Sequence, residues 1–532
     1  MKEKSFLIDI TDKNLESLIK EAAIFAVNSY LEANPNLNLS LAIKTDRLEN
    51  VFFEVLNDDY SNVKNKEMLY DILEKIYDHW RSIKRYILIR QNRLSSEKED
   101  NFLAQFDSIN EALLKKYRKL CYKLTGKHFS VYRQLSAYAD AALMIDDYNE
   151  HIYKGLKNAH FISKMAFRTP FISYSASNKR TGFFQATNIN PLNGINIKSN
   201  EWFVIPVLCG QLKIHVYFSK RYISLGVALS GLFQFNDDYK TTKPDGIIIF
   251  GSNTTNGIYY DKEKDLYIAS LVESDEIDYF GYIKKIILTV HNFITINDNK
   301  LPIHGAGLSI TLKNGKIKNV VIIGDSGAGK SETIEALQRI EKNEILDIVT
   351  IYDDMGLFEI IDNQIYTSGT EIGAFVRTDD LSNDFIYKVF DRAFFLNPNC
   401  KNARLVLPIT SYKNVIKKYR VDYVLYANNY EKKEKKIALF NNVDDAITLF
   451  QQGKRMALGT TEEEGLTSTF FANPFGPVQF EKKTKTLIHI YFDILFKRKV
   501  SVGQLFTGLG LENGKDNPKL AAKELYQKIL VD

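Results

Sequence analysis

The sequence predicts a mixed α/β protein (α+β class) in which two αβ lobes follow a helical N-terminal extension. Three patterns along the 532 residues support this fold class. Residues 1–150 carry apolar side chains at helical spacing, residues 151–275 carry short β-like runs, and residues 276–532 alternate strand-like and helix-like segments. We therefore expect three regions with these boundaries, and a functional site in a cleft between the two lobes.

The first region, residues 1–150, contains three segments with the apolar periodicity of amphipathic helices. They are LESLIKEAAIFAVNSYLEA, KEMLYDILEKIYDHWRSIKRYILI and SINEALLKKYRKLCYKL. The region has few glycines and no chemical motif. It is either a helical extension packed on the rest of the protein or a partner-binding or regulatory module.

From about residue 160 the pattern changes to short β-like runs separated by Asn, Gly and Pro. These runs are EWFVIPVLCG, LKIHVYFS, YISLGVALSGLFQF and GIIIFGS, and they predict a β-rich domain over residues 151–275. The αβ region that follows, residues 276–532, continues through IVTIYDDMGLFEI, RLVLPI and VDYVLYANN.

Composition excludes several classes of protein. Hydrophobic residues make up 45% and charged residues 25%, which is the balance of an ordinary globular chain. The net charge of +5 is small against 70 basic and 65 acidic residues, so no nucleic-acid partner is expected. The three cysteines, Cys121, Cys209 and Cys400, show no metal-binding or disulfide spacing, which favours a cytoplasmic location. No apolar run approaches the roughly 20 residues of a membrane span.

A glycine-rich phosphate loop lies in the third region, between a strand-like and a helix-like run. Its residues satisfy the pattern GxxxxGK[ST] and are Gly324, Asp325, Ser326, Gly327, Ala328, Gly329, Lys330 and Ser331. In such a loop the backbone N–H groups point at phosphate oxygens, while the lysine reaches the terminal phosphates and the serine hydroxyl can bind magnesium. The following helix adds its positive dipole end, so a nucleoside triphosphate is the expected ligand.

Further polar residues surround this loop in sequence. Asp353 and Asp354 follow the apolar run ILDIVTI, and at the end of a buried strand they would offer the oxygen ligands that magnesium or manganese needs. Taken alone, such a pair would more often begin a turn. Upstream, Lys284 and Lys285 end YFGYIKK, and His304 lies in LPIHGAG. Each has a structural interpretation too, as solvated lysines and a core histidine, but their order relative to the loop favours a site.

Read together, these elements resemble the ATP-dependent phosphoenolpyruvate carboxykinase family. In that family an aromatic-glycine stretch ending in KK precedes an LP and a histidine, then the phosphate loop, then an aspartate pair. Downstream, NARLVLPI with Arg404 resembles the arginine segment NTRVxYPI, and MALGTTEEEGLTSTFFANPFGP resembles the segment from LAGTE to the phenylalanine-rich FGxPF. FTGLG, with Thr507, is similar to a late NTGW. The resemblance covers about residues 270–512.

The resemblance implies a two-lobed carboxykinase-like fold and a set of roles for the matching residues. Lys285, His304 and one aspartate, more readily Asp354 than Asp353, would hold manganese, with a neutral Lys285 favoured by the charge of Lys284. Tyr279 would lie near the substrate carboxylates, and Arg404 would bind substrate and the transferred phosphoryl group. Residues 326–331 would hold ATP and its magnesium ion through Ser331, and the small-molecule substrates would be oxaloacetate and phosphoenolpyruvate.

The sequence also departs from the family pattern. GDSGAGKSE is closer to the loop of HPr kinase/phosphorylase, a protein kinase of the same superfamily, than to GLSGTGKTT. The substrate-binding arginine of an RSPKDK stretch has only Arg168 and Arg180 as nearby candidates, and the family's end segment near the adenine is replaced by ENGKDNPKLAAKEL. Two alternatives therefore remain: a kinase that phosphorylates a protein or small hydroxyl compound, and a sensor that binds ATP without turnover.

Overall fold

The computed structural model describes residues 5–9, 14–90, 102–128, 139–146, 148, 150–180, 184–195, 197–198, 201–340, 344–378, 381, 386, 389–458, 464–512 and 514–532. The chain is mixed α/β with large mixed sheets, as the sequence predicted. It divides into two compact units, Met1–Tyr148 with His160–Phe171 and Asn149–Ala159 with Ile172–Asp532. In the described residues, no helix combines the length and apolarity needed to cross a membrane.

The first unit combines helices with β-strands. Its helices are α1 (Leu15–Ala33), α2 (Leu48–Leu56), α3 (Lys66–Ser82) and α4 (Phe102–Thr125). Its strands are β1 (Ser5–Asp9), β2 (Lys84–Arg90), β3 (Ala141–Asp146) and β4 (His160–Phe167). β2 pairs in parallel with β1 and β3, and β4 is antiparallel to β3. The first and third predicted helical segments are thus confirmed, because they lie in α1 and α4.

The helical prediction was wrong for part of the second segment. α3 ends at Ser82, and the residues KRYILIR form strand β2 in place of the predicted helix. Tyr86 to Ile89 are buried on both faces of β2, so their apolar run does not alternate. A short continuous apolar run of this kind fits a buried strand or a buried helix equally well. Because the preceding residues have helical periodicity, the sequence pattern extended the predicted helix into the strand.

The second unit contains the remaining elements. Its helices are α5 (Ile223–Ala228), α6 (Phe280–Asn297), α7 (Lys330–Arg339), α8 (Tyr412–Ile416), α9 (Val443–Gln452), α10 (Glu481–Lys497) and α11 (Asn517–Val531). One short strand, β5, covers Phe171–Ser173 at the boundary between the units. Short 3-10 turns occur at Leu39–Leu41 in the first unit, and in the second unit at Lys154–Leu156, Lys220–Tyr222, Leu229–Gly231, Phe390–Arg392, Phe470–Ala472 and Gly514–Asp516.

A first group of strands in this unit comes from the predicted β-rich region. They are β6 (Trp202–Cys209), β7 (Leu212–Ser219), β8 (Gln234–Phe235), β9 (Gly246–Ser252), β10 (Gly257–Asp261) and β11 (Leu266–Val272). β6, β7 and β9 confirm three of the predicted runs. The fourth, YISLGVALSGLFQF, was wrong: it forms α5 and 3-10 turns before the short β8. Gly226 permits this, because a Cβ there would lie 2.3 Å from the ring of Phe218.

An eight-stranded sheet forms the centre of the region that contains the phosphate loop. Its order is β19-β15-β14-β12-β13-β20-β24-β21. The bounds are β12 (Leu301–Leu312), β13 (Ile317–Ile323), β14 (Ile345–Ile361), β15 (Gln364–Gly369), β19 (Tyr419–Arg420), β20 (Tyr423–Asn428), β21 (Ile437–Leu439) and β24 (Ser501–Phe506). β13, β20 and β24 run parallel, and the other pairs are antiparallel.

Smaller sheets complete the unit. β18 (Arg404–Pro408) pairs antiparallel with β16 (Gly373–Arg377) and β17 (Phe394–Leu396). β22 (Lys454–Leu458) and β23 (Glu464–Ser468) form an antiparallel pair.

The large sheet is buried on both faces. Along β13, Val320 and Ile322 pack in the cluster that includes residues of α7 and α11. Their neighbours Val321 and Ile323 pack in the cluster that includes residues of α9 and α10. Successive side chains of a strand point to opposite faces, so helices cover both sides. Burial of each Val or Ile side chain stabilises the folded protein by about 1.5–3 kcal/mol. This burial keeps the strand that leads into the phosphate loop in place.

Buried His291 on α6 should make the stability of the protein depend on pH. Burial, with Lys300 and Lys418 nearby, lowers the pKa of His291 to about 4. The unfolded chain takes up this proton near pH 6.5, so the stabilisation is complete above that pH and is lost as the pH falls towards 4. Over this range we expect wild type to lose about 3 kcal/mol more unfolding free energy than His291→Gln, measured by denaturant titration. The exposed His489→Gln variant should behave as wild type.

Candidate functional site

The phosphate loop joins β13 to α7 at one end of the central sheet. Gly327 and Gly329 have φ angles of 76° and 92°, which residues other than glycine adopt only with strain. At Gly329 a Cβ would also lie 2.7 Å from the Cβ of Thr507. Ala328 is buried in the core, and its carbonyl accepts a 2.7 Å hydrogen bond from the Thr507 hydroxyl. Gly327 and Gly329 are therefore required by the backbone of the loop.

Lys330 and Ser331, the two residues assigned to phosphate and magnesium, begin α7. Lys330 Nζ donates to the carbonyls of Gly324 at 2.7 Å and Asp325 at 3.0 Å. The Ser331 hydroxyl donates to Asp353 Oδ1 at 2.9 Å. A serine hydroxyl beside a carboxylate is the pair of oxygen ligands that magnesium uses at such loops.

Asp353 and Asp354 lie in the middle of β14, so their predicted position at the end of a strand was wrong. They pair with Ala306 and Gly305 of β12. The apolar run resumes after the pair in MGLFEII, and it carries the strand on to Ile361. The sequence indicated a strand end only because the two polar residues interrupt this run.

Asp354 is the centre of a buried cluster of charged groups. Its Oδ2 lies 2.6 Å from Lys285 Nζ and 2.7 Å from Lys284 Nζ. Its Oδ1 lies 2.9 Å from His304 Nε2. The three groups predicted to hold manganese therefore meet at one carboxylate.

The two lysines differ in their pKa. Burial lowers the pKa of Lys285 to about 8, with Asp354 opposing the change and Lys284 reinforcing it. Burial acts on Lys284 in the same direction, but Asp354 and Glu371 outweigh it and raise the pKa of Lys284 above its usual value. Burial raises the pKa of Asp354 less than Lys284 and Lys285 lower it, so this carboxyl stays ionised. Lys285 is thus the amine that loses its proton more readily, near pH 8.

His304 presents a contact that suits a cation. Its Nδ1 lies 2.8 Å from the carbonyl oxygen of Ala472, which can only accept, so Nδ1 carries a proton. Burial and the charge of Lys330 lower the pKa of His304 and favour the neutral ring. In the neutral ring, the lone pair of Nε2 points at the Asp354 carboxylate, with Nε2 2.9 Å from Oδ1. Both atoms are then hydrogen-bond acceptors, so a positively charged species is needed between or beside them.

These donors form a set that fits a divalent metal. In the described part of the chain, no three His, Cys, Asp or Glu side chains group closely enough to hold one. The predicted set uses a lysine amine in addition to one imidazole and one carboxylate. Because the pKa of Lys285 is lowered and His304 favours its neutral form, both nitrogens have a lone pair available near pH 8.

An arginine-lined pocket of about 380 Å³ opens next to the phosphate loop. Lys330, Ser331 and the two aspartates of β14 line one side of it. Arg377, Arg392 and Arg404 line it as well, and Arg377 is the direct partner of Arg404 between β16 and β18. Like charges placed opposite each other in a sheet are destabilising on their own. Such an arginine pair beside a phosphate loop suits an anionic ligand.

Not all of the predicted residues reach this pocket. Lys285 and His304 are not among the residues that line it, and they meet it through Asp354. Tyr279 is buried at the start of α6, with its ring 6.1 Å from that of Phe375 in the pocket wall. All of the lining residues fall between Ser326 and Ile409, within the third predicted region, so they do not support the predicted cleft between two lobes.

The two candidate substrate arginines have different surroundings. Arg168 belongs to the first unit, where its backbone N–H donates to the carbonyl of Asp140. Arg180 belongs to the second unit, with its Cζ 4.8 Å from the centre of the Phe475 ring. Lys285 Nζ lies 4.6 Å from the same ring centre. Arg180 is therefore the candidate that approaches the cluster around Asp354.

Sequence reasoning missed Glu371, Arg377 and Arg392. Glu371 is fully buried, and its Oε1 lies 2.9 Å from Lys284 Nζ. It follows β15 in GTEIG, where a single acidic residue carries no motif. Arg377 ends the run GAFVR, and only the pairing of β16 with β18 reveals that it faces Arg404.

Comparison with protein families finds none that matches this chain. Comparison with curated proteins likewise finds no significant match.

Proposed function

We propose that this protein is an ATP-dependent enzyme of the phosphoenolpyruvate carboxykinase type, which decarboxylates and phosphorylates oxaloacetate to phosphoenolpyruvate. The proposal includes the two-lobed fold, ATP, Mg²⁺ and Mn²⁺ that the sequence resemblance implies. The observation that carries it is the meeting of Lys285 and His304 at Asp354, beside a phosphate loop whose Ser331 contacts Asp353.

The roles of the residues follow from their chemistry. Lys330 and the loop N–H groups would bind the phosphates of ATP, and Ser331 with Asp353 would hold magnesium. Lys285, His304 and Asp354 would hold manganese. When bound, the two metals would supply positive charge close to the reacting oxygens. Arg404 and Arg377, which line the same pocket, would bind the carboxylate and phosphoryl oxygens.

The reaction balances without an added proton. The bond between C3 and the C4 carboxylate of oxaloacetate breaks, carbon dioxide leaves, and the electron pair forms the enolate of pyruvate. The enolate oxygen attacks the γ-phosphorus of ATP in line, and the bond from that phosphorus to the β-phosphate oxygen breaks to release ADP. Arg404 and Lys330 would stabilise the negative charge that passes between these groups. A pocket that excludes water would protect the enolate from protonation to pyruvate.

Manganese binding to the purified protein tests the metal half of this proposal without requiring turnover. We expect electron paramagnetic resonance to detect one bound Mn²⁺ in wild type, and we expect Lys285→Ala and His304→Ala to weaken its binding about 10- to 100-fold. Both variants should lose oxaloacetate-dependent ADP release but keep the residual ATPase of wild type. His489→Ala, on the exposed face of α10, is the matched histidine control. Equal Mn²⁺ affinity in all four proteins would contradict the assigned ligands.

A second candidate function is a kinase of the HPr kinase/phosphorylase type. The loop sequence GDSGAGKSE favours it, and Glu332 of this sequence lines the pocket next to Ser331. In this alternative Asp354 would accept the proton of the attacking hydroxyl group. Asp354 instead contacts two lysines and a histidine, and the two lysines hold its pKa well below the usual value. A carboxylate with a lowered pKa is a weak base. Phosphate transfer to a serine-bearing partner would favour this alternative.

A further inference from the structure

Strand β22, which lies far from the phosphate loop in sequence, contacts this loop. Arg455 lies on β22, is 3% exposed, and is separated by 129 residues from Ser326. Its Nε lies 3.0 Å from Asp325 Oδ2, and its Nη1 donates a 2.8 Å hydrogen bond to the carbonyl of Ser326. One buried arginine thus contacts two consecutive residues of the loop.

The next residue of β22 is tied to the loop through Asn429. The Asn429 amide donates to the carbonyls of Gly327 and Met456, both at 2.9 Å. Its oxygen accepts from the Met456 N–H at 2.8 Å. An ion pair and hydrogen bonds therefore link residues 325–327 of the loop to residues 455 and 456 of β22.

Asp325 is the negatively charged partner of Arg455 in these contacts. It is a buried carboxylate inside a loop built to bind anions, and it also accepts a 2.7 Å hydrogen bond from the Ser326 N–H. Arg455 supplies its buried countercharge, with Nε 3.0 Å from Asp325 Oδ2. An uncompensated negative charge at this position would repel the phosphates of a nucleotide.

We propose that Arg455 is a positioning residue for nucleotide binding: it neutralises Asp325 and holds the Ser326 carbonyl, so that the loop accepts a triphosphate. This inference rests on the proposed function only in that the loop must bind a nucleoside triphosphate. It adds a residue that lies outside the phosphate-loop motif and outside the segments on which the carboxykinase resemblance depends for its metal and arginine sites.

Isothermal titration of the full-length protein with ATP and Mg²⁺ tests this role. We expect Arg455→Gln to raise the dissociation constant about 10- to 100-fold, because it leaves Asp325 buried and unpaired. Arg455→Lys should recover part of this loss. The double variant Asp325→Asn with Arg455→Gln should also recover affinity, since it removes the charge that Arg455 neutralises. At saturating ATP, kcat and the KM for the acceptor should stay within about threefold of wild type.

Several outcomes would overturn the inference. Wild-type affinity in Arg455→Gln would do so, and so would a folded double variant that binds ATP no better than Arg455→Gln. If Arg455→Gln does not fold, Arg455→Lys and the double variant decide the question by the same titration. Arg498→Gln, which removes an exposed arginine bonded to the Asn363 carbonyl, is the matched control. Wild type that binds no ATP would overturn this inference and the proposed function together, whereas Arg455-dependent binding without phosphoenolpyruvate formation would overturn only the function.

Discussion

Asp354→Asn is expected to destabilise the protein by about 3–5 kcal/mol and to abolish manganese binding. The carboxylate compensates Lys284 and Lys285, which are both buried, and asparagine would leave them with Glu371 as the nearest countercharge. Removing one partner of a buried charge cluster costs far more than an exposed ion pair is worth. Denaturant titration measures the stability, and electron paramagnetic resonance measures the bound Mn²⁺.

The adjacent residue provides the matched control for this change. Asp353 accepts a hydrogen bond from Ser331. We expect Asp353→Asn to weaken magnesium-dependent ATP binding about 10- to 100-fold, with a stability loss of no more than about 1–2 kcal/mol. If Asp354→Asn and Asp353→Asn lose equal stability and equal Mn²⁺ affinity, Asp354 is not the centre of the metal cluster.

Arg404→Gln is expected to lower kcat about 10³-fold with a much smaller change in the KM for ATP. Arg404 lines the pocket beside the phosphate loop, and its guanidinium lies 5.2 Å from the centre of the Phe375 ring. In the proposed reaction, a positive charge held there would act on the transferred phosphoryl group in the transition state rather than on bound ATP. Arg404→Lys should recover little of the rate, because lysine lacks the planar fork that binds two oxygens at once.

Arg392→Gln is the control for the loss of positive charge in this pocket. Arg392 lines the same pocket, but its side chain is 65% exposed and pairs with Asp391. Solvent screens a charge of this kind, so we expect less than about a tenfold change in kcat. Steady-state kinetics with ATP and oxaloacetate measures both variants. Equal losses in Arg404→Gln and Arg392→Gln would show that only net charge matters.

The sequence could predict the parts of the site that depend on local patterns. The phosphate loop combines glycines at positive φ with a strand before it and a helix after it, and all three are local signals. The order of Lys285, His304, Asp354 and Arg404 was also readable, because each lies beside an apolar run. His304 meets Asp354 because β12 pairs with β14, and Lys285 reaches the same carboxylate from α6.

The remaining parts depend on pairings between distant segments. Arg377 faces Arg404 only because β16 pairs with β18, and Glu371, which follows β15, pairs with Lys284 of α6, a residue distant in sequence. Arg455 contacts the loop across 129 residues. The same limit explains β2, because a short apolar run fits a strand or a helix until its neighbours are known.

Exchange of labelled carbon dioxide into oxaloacetate tests the central claim most directly. Wild type would be incubated with oxaloacetate, ATP, ADP, Mg²⁺, Mn²⁺ and ¹³C-bicarbonate, and the C4 carboxylate would be read by NMR. Since decarboxylation and phosphoryl transfer are reversible together, we expect label in oxaloacetate and the appearance of phosphoenolpyruvate, both dependent on nucleotide and both lost in Lys285→Ala. Absence of label and of phosphoenolpyruvate, from a wild-type protein that binds ATP and Mn²⁺, would contradict the carboxykinase assignment.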